Sequence, residues 1–270
     1  MTYALELATP KVRAVVEDHV GWIILNNPER HNAISGAMFG AIDAAAQHLM
    51  AADDVRVVAI RGEGEKAFAS GADINDLSGS DAGQSSSTEP SDRVSADRTT
   101  QALRRLLDGP KPVVAMVHGW CIGGGLLTAL AADIRIAADS ARFGIPAGRL
   151  GVGYPVDGTD RLVEVVGSAH AAEILLTADR FTAADASRMG LVNRVVPAAE
   201  LVSTTNELLR SMCALAPLSQ TASKVSIAAA SGRAERDAAI RRVRDCWASE
   251  DFETGRAAFA ERREPEFSGR

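Results

Sequence analysis

The sequence predicts an α/β fold built from ββα repeats and ending in a helical subdomain. Short apolar runs alternate with helical segments as far as Pro197, and the pattern after it is almost wholly helical, with breaks at residues 216–217 and 231–232. A chain of 270 residues that is 46% hydrophobic can also bury a full core. We therefore divide it into a core, residues 1–200, and a C-terminal helical region, residues 201–270.

Composition and charge argue against several classes of protein. The formal net charge of -6 disfavours a nucleic-acid surface, which needs a clustered basic face. No secretion signal opens the chain, and no run approaches the ~18 apolar residues of a membrane span. Three cysteines, odd in number and far apart, and five histidines without ligand spacing indicate neither disulfides nor a metal site. We expect a cytoplasmic protein that binds no metal, nucleic acid or membrane.

The first elements in the chain are a predicted β-hairpin and a helix. Val12–Val16 and Trp22–Leu25 are rich in β-forming residues, and the turn-forming residues 18–21 separate them. The Ser35 hydroxyl can then cap an alanine-rich helix that runs to about Met50, because it can accept from an otherwise unpaired amide.

Three further apolar runs predict buried strands at Val55–Ile60, Val113–Val117 and Ile134–Ala137. Between the first two, residues 78–98 change in composition to mainly Ser, Asp, Gly, Glu and Pro. This composition predicts a mobile loop, and a position just after a candidate ligand loop makes it a candidate lid.

Two loops of small residues are the candidate ligand-binding segments. Residues 66–74 follow a predicted strand; small side chains at 70–72 let a ligand approach main-chain amides, and Asp73 favours the start of a helix. Gly123-Gly124-Gly125 precedes an apolar helix predicted over Leu126–Ala132. Amides at a helix N-terminus lie at the positive end of its dipole, so this second loop could stabilise an anion.

Two basic residues, Arg30 and Lys224, are candidates for holding a small phosphorylated ligand. The alternative for each is an ordinary exposed surface residue, which is the commonest environment of Arg and Lys. The sequence leaves both alternatives open.

Five ordered blocks give the chain a resemblance to a known family: residues 25–33, 66–74, 118–125, 183–193 and 252–259. Over nearly the whole chain they resemble the crotonase superfamily, the enoyl-CoA hydratase and isomerase family. The resemblance implies the ClpP/crotonase-like spiral of ββα repeats and an acyl-CoA thioester substrate. Coenzyme A would then enter as part of the substrate, with no permanently bound cofactor.

The resemblance also implies roles for individual residues. The amides of Ala72 and Gly124 would form an oxyanion hole for the thioester carbonyl, and Arg30 would lie near the nucleotide end of coenzyme A. The residues that would line the pantetheine path are Ala72, Asp73, Ile74 and Asn75. The C-terminal helical region would assemble the protein into a homotrimer or a dimer of trimers.

The chain departs from the hydratases of this family at both catalytic glutamate positions. Leu127 lies three residues after Gly124, and Ala147 follows the Phe-Gly-Ile-Pro segment that ends at Pro146. Syn hydration needs a base for water and an acid for the α-carbon, and neither Leu nor Ala can transfer a proton. We therefore do not expect ordinary hydratase activity.

The loop at residues 150–162 contains two candidate replacements, Tyr154 and Asp157, which are close enough in sequence to face one pocket. A tyrosine here without the glutamates resembles the methylmalonyl-CoA decarboxylase branch, in which loss of carbon dioxide generates the enolate. That branch has a histidine where this chain has Ala72. The alternatives are a pocket wall for Tyr154 and a turn or helix cap for Asp157.

Three functional hypotheses follow. The first is an enzyme that acts on a coenzyme A thioester through an enolate, by decarboxylation, isomerisation or weak hydration. The second is a non-catalytic acyl-CoA-binding protein, which turnover would distinguish from the first. The third, an RNA-binding protein, is disfavoured by the acidic balance.

Overall fold

Two β-sheets form the centre of the fold. The computed structural model describes residues 2–72 and 91–270, with the side chains of residues 91–98 excepted. Among these residues one sheet has seven strands, in the order β1-β2-β3-β4-β6-β8-β11, and the other has four, in the order β10-β9-β7-β5. The strands are β1 (Tyr3–Leu5), β2 (Val12–Glu17), β3 (Val20–Leu25), β4 (Val57–Gly62), β5 (Ala67–Ala69), β6 (Val113–Val117), β7 (Trp120–Ile122), β8 (Ile134–Ala138), β9 (Arg142–Gly144), β10 (Arg180–Thr182) and β11 (Arg194–Val196).

The α-helices pack around these sheets, and the chain after β11 is mostly helical. Those described are α1 (Gly36–Ala51), α2 (Ser91–Asp108), α3 (Gly124–Leu130), α4 (Ala147–Leu150), α5 (Val156–Thr177), α6 (Ala183–Arg188), α7 (Leu201–Cys213), α8 (Pro217–Ala230), α9 (Arg236–Trp247) and α10 (Glu250–Glu261). No helix within the described ranges combines the length and hydropathy needed to cross a membrane.

The ββα repeat is confirmed by how successive strands divide between the sheets. The first strand of each pair β4–β5, β6–β7 and β8–β9 joins the seven-stranded sheet, and the second joins the four-stranded sheet. Neighbours β4, β6 and β8 are parallel. Their apolar runs have no polar alternation because helices cover both faces of the sheet, as in the α/β class.

The N-terminal hairpin is confirmed, with a tighter turn than the sequence predicted. Only Asp18 and His19 form the turn, and both have positive φ angles, 48° and 67°. Two left-handed residues make a turn whose twist matches that of the paired strands. Val20 and Gly21, predicted as turn residues, therefore already belong to β3.

The predicted cap of α1 is confirmed, whereas the predicted loop at residues 78–98 is partly wrong. The Ser35 hydroxyl accepts a hydrogen bond from the Met38 amide at 3.3 Å. Helix α2 begins at Ser91, so the last part of the predicted loop is helical. Residues 78–90 lie outside the described residues.

The helical pattern after Pro197 and its two breaks are confirmed. Helix α7 places Leu209 and Met212 against strands of the seven-stranded sheet, so it covers one face of that sheet. Helices α9 and α10, in contrast, expose large apolar side chains. These are Ile240, Val243, Trp247, Phe252 and Phe259.

Candidate active site

The two small-residue loops meet in the structure. A β-carbon built onto Gly124 would lie 3.2 Å from the amide nitrogen of Ala72. One built onto Gly71 would lie 3.9 Å from the Gly124 amide nitrogen. The main chains at residues 71–72 and 123–124 therefore run side by side, an arrangement that an oxyanion hole formed by the Ala72 and Gly124 amides would require.

Glycine is required at two positions for this approach. Gly71 has a φ angle of 118° and Gly123 a φ angle of 52°. Residues with a β-carbon rarely adopt such φ angles, so any other residue would strain the backbone where the two loops meet. The glycine pattern thus reflects backbone conformation as well as close approach.

The loop that carries Ala72 is held in place by residues 30–34. The Ile34 amide donates to the Gly71 carbonyl at 2.8 Å, and the Ser70 amide donates to the His31 carbonyl at 2.9 Å. The Ser70 hydroxyl donates to the Arg30 carbonyl at 3.2 Å. These hydrogen bonds bring the segment of Arg30 beside the segment of Ala72, while the predicted place of Arg30 near the nucleotide end of coenzyme A stays a prediction.

Asn32 is a positioning residue that the sequence analysis missed. Its side chain is fully buried; Nδ2 donates to the carbonyls of Glu63 and Ala67 at 3.0 and 2.8 Å, and Oδ1 accepts from the Asn27 amide at 2.9 Å. A buried amide with these bonds fixes the loop against the strands beside it. Asn32 lies in the segment 25–33, one of the blocks that carry the family resemblance.

The first turn of α3 leaves main-chain amides unpaired beside Ala72. Gly123 is anchored to the small sheet because its amide donates to the Gly144 carbonyl at 2.9 Å. Among hydrogen bonds between described residues, none uses the amide of Ala72 or of Gly124. First-turn amides have no partner within their own helix. The two nitrogens therefore can donate to a ligand oxygen.

The two positions at which the resemblance implies catalytic glutamates, Leu127 and Ala147, lie next to this pair of amides. Leu127 is buried one helical turn after Gly124. Ala147 begins α4 directly after Pro146, whose Cδ lies 3.9 Å from a β-carbon built onto Gly123. The side chains at these positions are an isobutyl and a methyl group, so they surround the site with apolar surface and offer no proton.

Tyr154 turns its hydroxyl into the protein. The residue is half-buried, but its hydroxyl oxygen is buried and has no hydrogen-bond partner among the described residues. Burial raises the pKa of Tyr154 far above its usual value, and the nearby Cys121 adds to the rise. The phenol is therefore neutral and can donate a hydrogen bond, but it cannot serve as a base near neutral pH.

Asp157 lies at the surface instead. Its carboxylate accepts from Arg104 at 3.2 Å, and the two side chains are 50% and 64% exposed. The ion pair joins the first turn of α5 to α2. The sequence favours a pocket that Asp157 shares with Tyr154, whereas the structure pairs Asp157 with Arg104. A catalytic role for Asp157 stays a prediction.

The candidate phosphate-binding residues have different environments. Arg30 is exposed at the end of a short 3-10 turn, Pro28–Arg30. Lys224 is buried, and its ammonium donates to Asp133 at 2.8 Å and to two main-chain carbonyls. The prediction for Lys224 is therefore wrong, because its three donors are already used inside the protein.

Two predictions about ligands are not tested by the geometry. Asp73, Ile74 and Asn75, predicted to line the pantetheine path, lie outside the described residues. Within the part of the chain that is described, no group of three or more His, Cys, Asp or Glu side chains could hold a metal ion.

Comparison with known proteins gives consistent matches over nearly the whole chain. Residues 16–270 match the family model for enoyl-CoA hydratase/isomerase. A probable enoyl-CoA hydratase echA8 of Mycobacterium tuberculosis is 33% identical over 260 residues, covering 94% of this chain and 96% of the relative. A short-chain-enoyl-CoA hydratase of Clostridium acetobutylicum is 32% identical over 254 residues, covering 93% and 94%.

A solved structure agrees with these sequence matches. The crystal structure of an enoyl-CoA hydratase/carnithine racemase from Magnetospirillum magneticum superposes with a TM-score of 0.90 at 30% identity. It covers 98% of this chain and 97% of the solved one. The structural similarity therefore extends over nearly the whole of both chains.

Proposed function

This chain belongs to the enoyl-CoA hydratase/isomerase family, and from that premise we propose that it is an enzyme that forms an enolate from a coenzyme A thioester. The observation that carries the proposal is the side-by-side placement of the Ala72 and Gly124 main chains, with amides that no described residue uses. Such donors bond a developing oxyanion more strongly than a ground-state carbonyl. Each is worth roughly 3–4 kcal/mol in comparable sites.

The coenzyme A part of the substrate would extend from this pair of amides towards residues 30–34. The hydrogen bonds from Ser70 to the carbonyls of Arg30 and His31 support this direction. They hold the loop that carries Ala72 directly against residues 30–34. The names of the two relatives, both enoyl-CoA hydratases, support the thioester class. Coenzyme A is then substrate, and the reaction needs no resident cofactor.

The absence of carboxylates at positions 127 and 147 favours a second, more specific candidate, an acyl-CoA decarboxylase of the methylmalonyl type. Loss of carbon dioxide generates the enolate without a base, so apolar side chains at both positions are compatible with it. The neutral hydroxyl of Tyr154 beside Leu127 fits a reaction that needs a hydrogen-bond donor and no general base. Ala72, in place of the histidine of that branch, leaves the first loop without a side-chain donor.

A panel of thioesters tests the reaction class. We would incubate the protein with crotonyl-CoA, 3-hydroxybutyryl-CoA, malonyl-CoA and methylmalonyl-CoA and follow products by mass spectrometry. Release of carbon dioxide from a malonyl-type member supports decarboxylation, and conversion of an enoyl member supports hydration or isomerisation. Tight binding without turnover of any member identifies a non-catalytic acyl-CoA-binding protein.

Coenzyme A thioesters should raise the melting temperature. A ligand at 100 times its Kd adds about 2.7 kcal/mol to the free energy of unfolding, so a shift of several degrees is expected, with free nucleotides giving less. Gly124→Ala should reduce the shift, because its β-carbon would press on the Ala72 amide. Gly40→Ala is the matched control, since nothing lies within 4 Å of its β-carbon. No shift with any thioester at saturation would contradict the proposal.

The protein should assemble as a trimer or a dimer of trimers through its C-terminal helices. Helices α9 and α10 leave Trp247 67% and Phe259 88% exposed, and closed symmetric assembly would cover such surface. Light scattering at micromolar concentration measures the mass directly. A monomer only would contradict this prediction.

A further inference from the structure

The C-terminal end of α3 is held by two arginine side chains. The Leu130 carbonyl accepts from Arg161 Nε at 2.9 Å. The Ala132 carbonyl accepts from Arg161 at 3.4 Å and from Arg135 at 2.5 Å. The last carbonyls of a helix have no partner within it, and both of these residues are fully buried. The two guanidinium groups therefore satisfy acceptors that would otherwise be unpaired inside the protein.

Arg161 reaches α3 from the neighbouring helix α5. Its side chain is only 12% exposed, and it pairs at 2.9 Å with Glu164, which lies one turn further along α5. The planar guanidinium presents its donors in fixed directions, so three acceptors around it define one placement. Arg161 therefore links the end of α3 rigidly to α5.

Arg135 supports the same end of α3 from strand β8. It is 4% exposed, and its Nε also donates to the Leu191 carbonyl at 2.6 Å. Burial and the neighbouring charge of Arg161 lower the pKa of Arg135 to about 10, so it remains a cation at neutral pH. Because Arg135 also anchors the segment after α6, a change at Arg161 tests the end of α3 more selectively.

Helix α3 can transmit this placement to the paired amides. It has seven residues, a length of about 10 Å, and it begins at Gly124, whose main chain lies beside Ala72. The Thr128 hydroxyl donates to the Gly124 carbonyl at 2.9 Å, and residues 125–130 are all buried. A close-packed, hydrogen-bonded helix of this length moves as one body, so a shift at one end appears at the other.

We propose that Arg161 is a positioning residue that fixes the far end of α3 and so holds the Gly124 amide at the oxygen of the substrate enolate. This inference rests on the proposed function and adds to it a residue that does not touch the substrate. Donors to a developing oxyanion act at short range, and a misplacement of about 1 Å can cost about 100-fold. A change at Arg161 should therefore affect the enolate more than the uncharged thioester.

Acetoacetyl-CoA is the probe, because its acyl group exists as a ketone and as an enolate, and the enolate absorbs strongly in the near ultraviolet. The absorbance of the bound thioester gives the ratio of enolate to ketone, and we expect the wild type to raise this ratio above that in buffer. Arg161→Met should lower the bound ratio about 10-fold or more and change the affinity for butyryl-CoA much less. Arg161→Lys should give an intermediate ratio, because an ammonium keeps the charge without the planar fork.

Arg233→Met is the matched control. Arg233 pairs with Glu164 at 3.0 Å and with Asp108 at 3.1 Å, is 22% exposed, and bonds no carbonyl of α3 among the described residues. Both methionine variants therefore remove a partner of Glu164 and should lower the melting temperature. Only Arg161→Met should also lower the enolate ratio, which separates positioning from stability.

The outcomes separate this inference from the function beneath it. An enolate ratio that Arg161→Met leaves unchanged, or that Arg233→Met lowers equally, overturns the role of Arg161. If Arg161→Met does not fold, Arg161→Lys decides, and a ratio equal to that of the wild type overturns the role. A wild type that binds no thioester, or that binds acetoacetyl-CoA without raising the ratio, would instead refute the proposed function.

Discussion

Hydration of crotonyl-CoA by this protein is expected to be very slow, and the double variant Leu127→Glu/Ala147→Glu is expected to gain it. A general acid or base contributes about 100- to 10,000-fold each, so the loss of two groups should reduce the rate by at least the larger factor. The proposed oxyanion hole consists of the main-chain amides of Ala72 and Gly124 and does not depend on either side chain, so the variant would add two proton-transfer groups beside it. The loss of absorbance of the enoyl thioester measures the rate.

The matched control carries glutamine at both positions. It has nearly the same size and polarity as the glutamate pair but cannot transfer a proton, so a gain seen only with glutamate identifies proton transfer. Gly158 is kept, since Leu127 packs over it and the new side chain must use that space. If the wild type hydrates at the rate of its relatives, and Asp157→Asn and Tyr154→Phe leave that rate unchanged, our account of the site is wrong.

Asp133→Ala should reduce the free energy of unfolding by about 3–5 kcal/mol, because it leaves a buried ammonium without its counter-charge. Lys224 is 8% exposed, and its three donors go to Asp133 and to the carbonyls of Leu106 and Lys111. Burial lowers the pKa of Lys224, and the negative charge of Asp133 raises it. Without Asp133, the burial of the charged ammonium is therefore less well compensated. Urea unfolding followed by circular dichroism measures the change.

An exposed ion pair is the control for this effect. Arg149 and Asp179 are 2.7 Å apart but 62% and 71% exposed, so Asp179→Ala should cost no more than about 1 kcal/mol. The double variant Lys224→Met/Asp133→Ala should recover part of the loss, since it removes the buried charge as well. Equal losses for Asp133→Ala and Asp179→Ala would show that the buried pair contributes no more than a surface pair.

Local features were predicted correctly because their causes lie within a few residues. The hairpin at β2–β3 follows from β-forming runs around a turn, and the start of α1 from a serine that can cap it. The backbone at Gly71 and Gly123 needs angles that only glycine adopts freely, so the glycine loops could also be found in advance. The error at Ser91 has a local cause too, since polar composition does not exclude a surface helix.

Five of the eleven described strands (β2, β3, β4, β6 and β8), the helices after Pro197 and the glycine loops could be read from the sequence, because each depends on residue type and short-range pattern. Only the tertiary structure decided which distant residues meet. It placed Ala72 beside Gly124, buried Lys224 against Asp133 and left the Tyr154 hydroxyl without a partner among the described residues. Periodicity shows that a side chain faces inward but not what lies opposite, because contacts between distant segments are set by the packing of the whole chain.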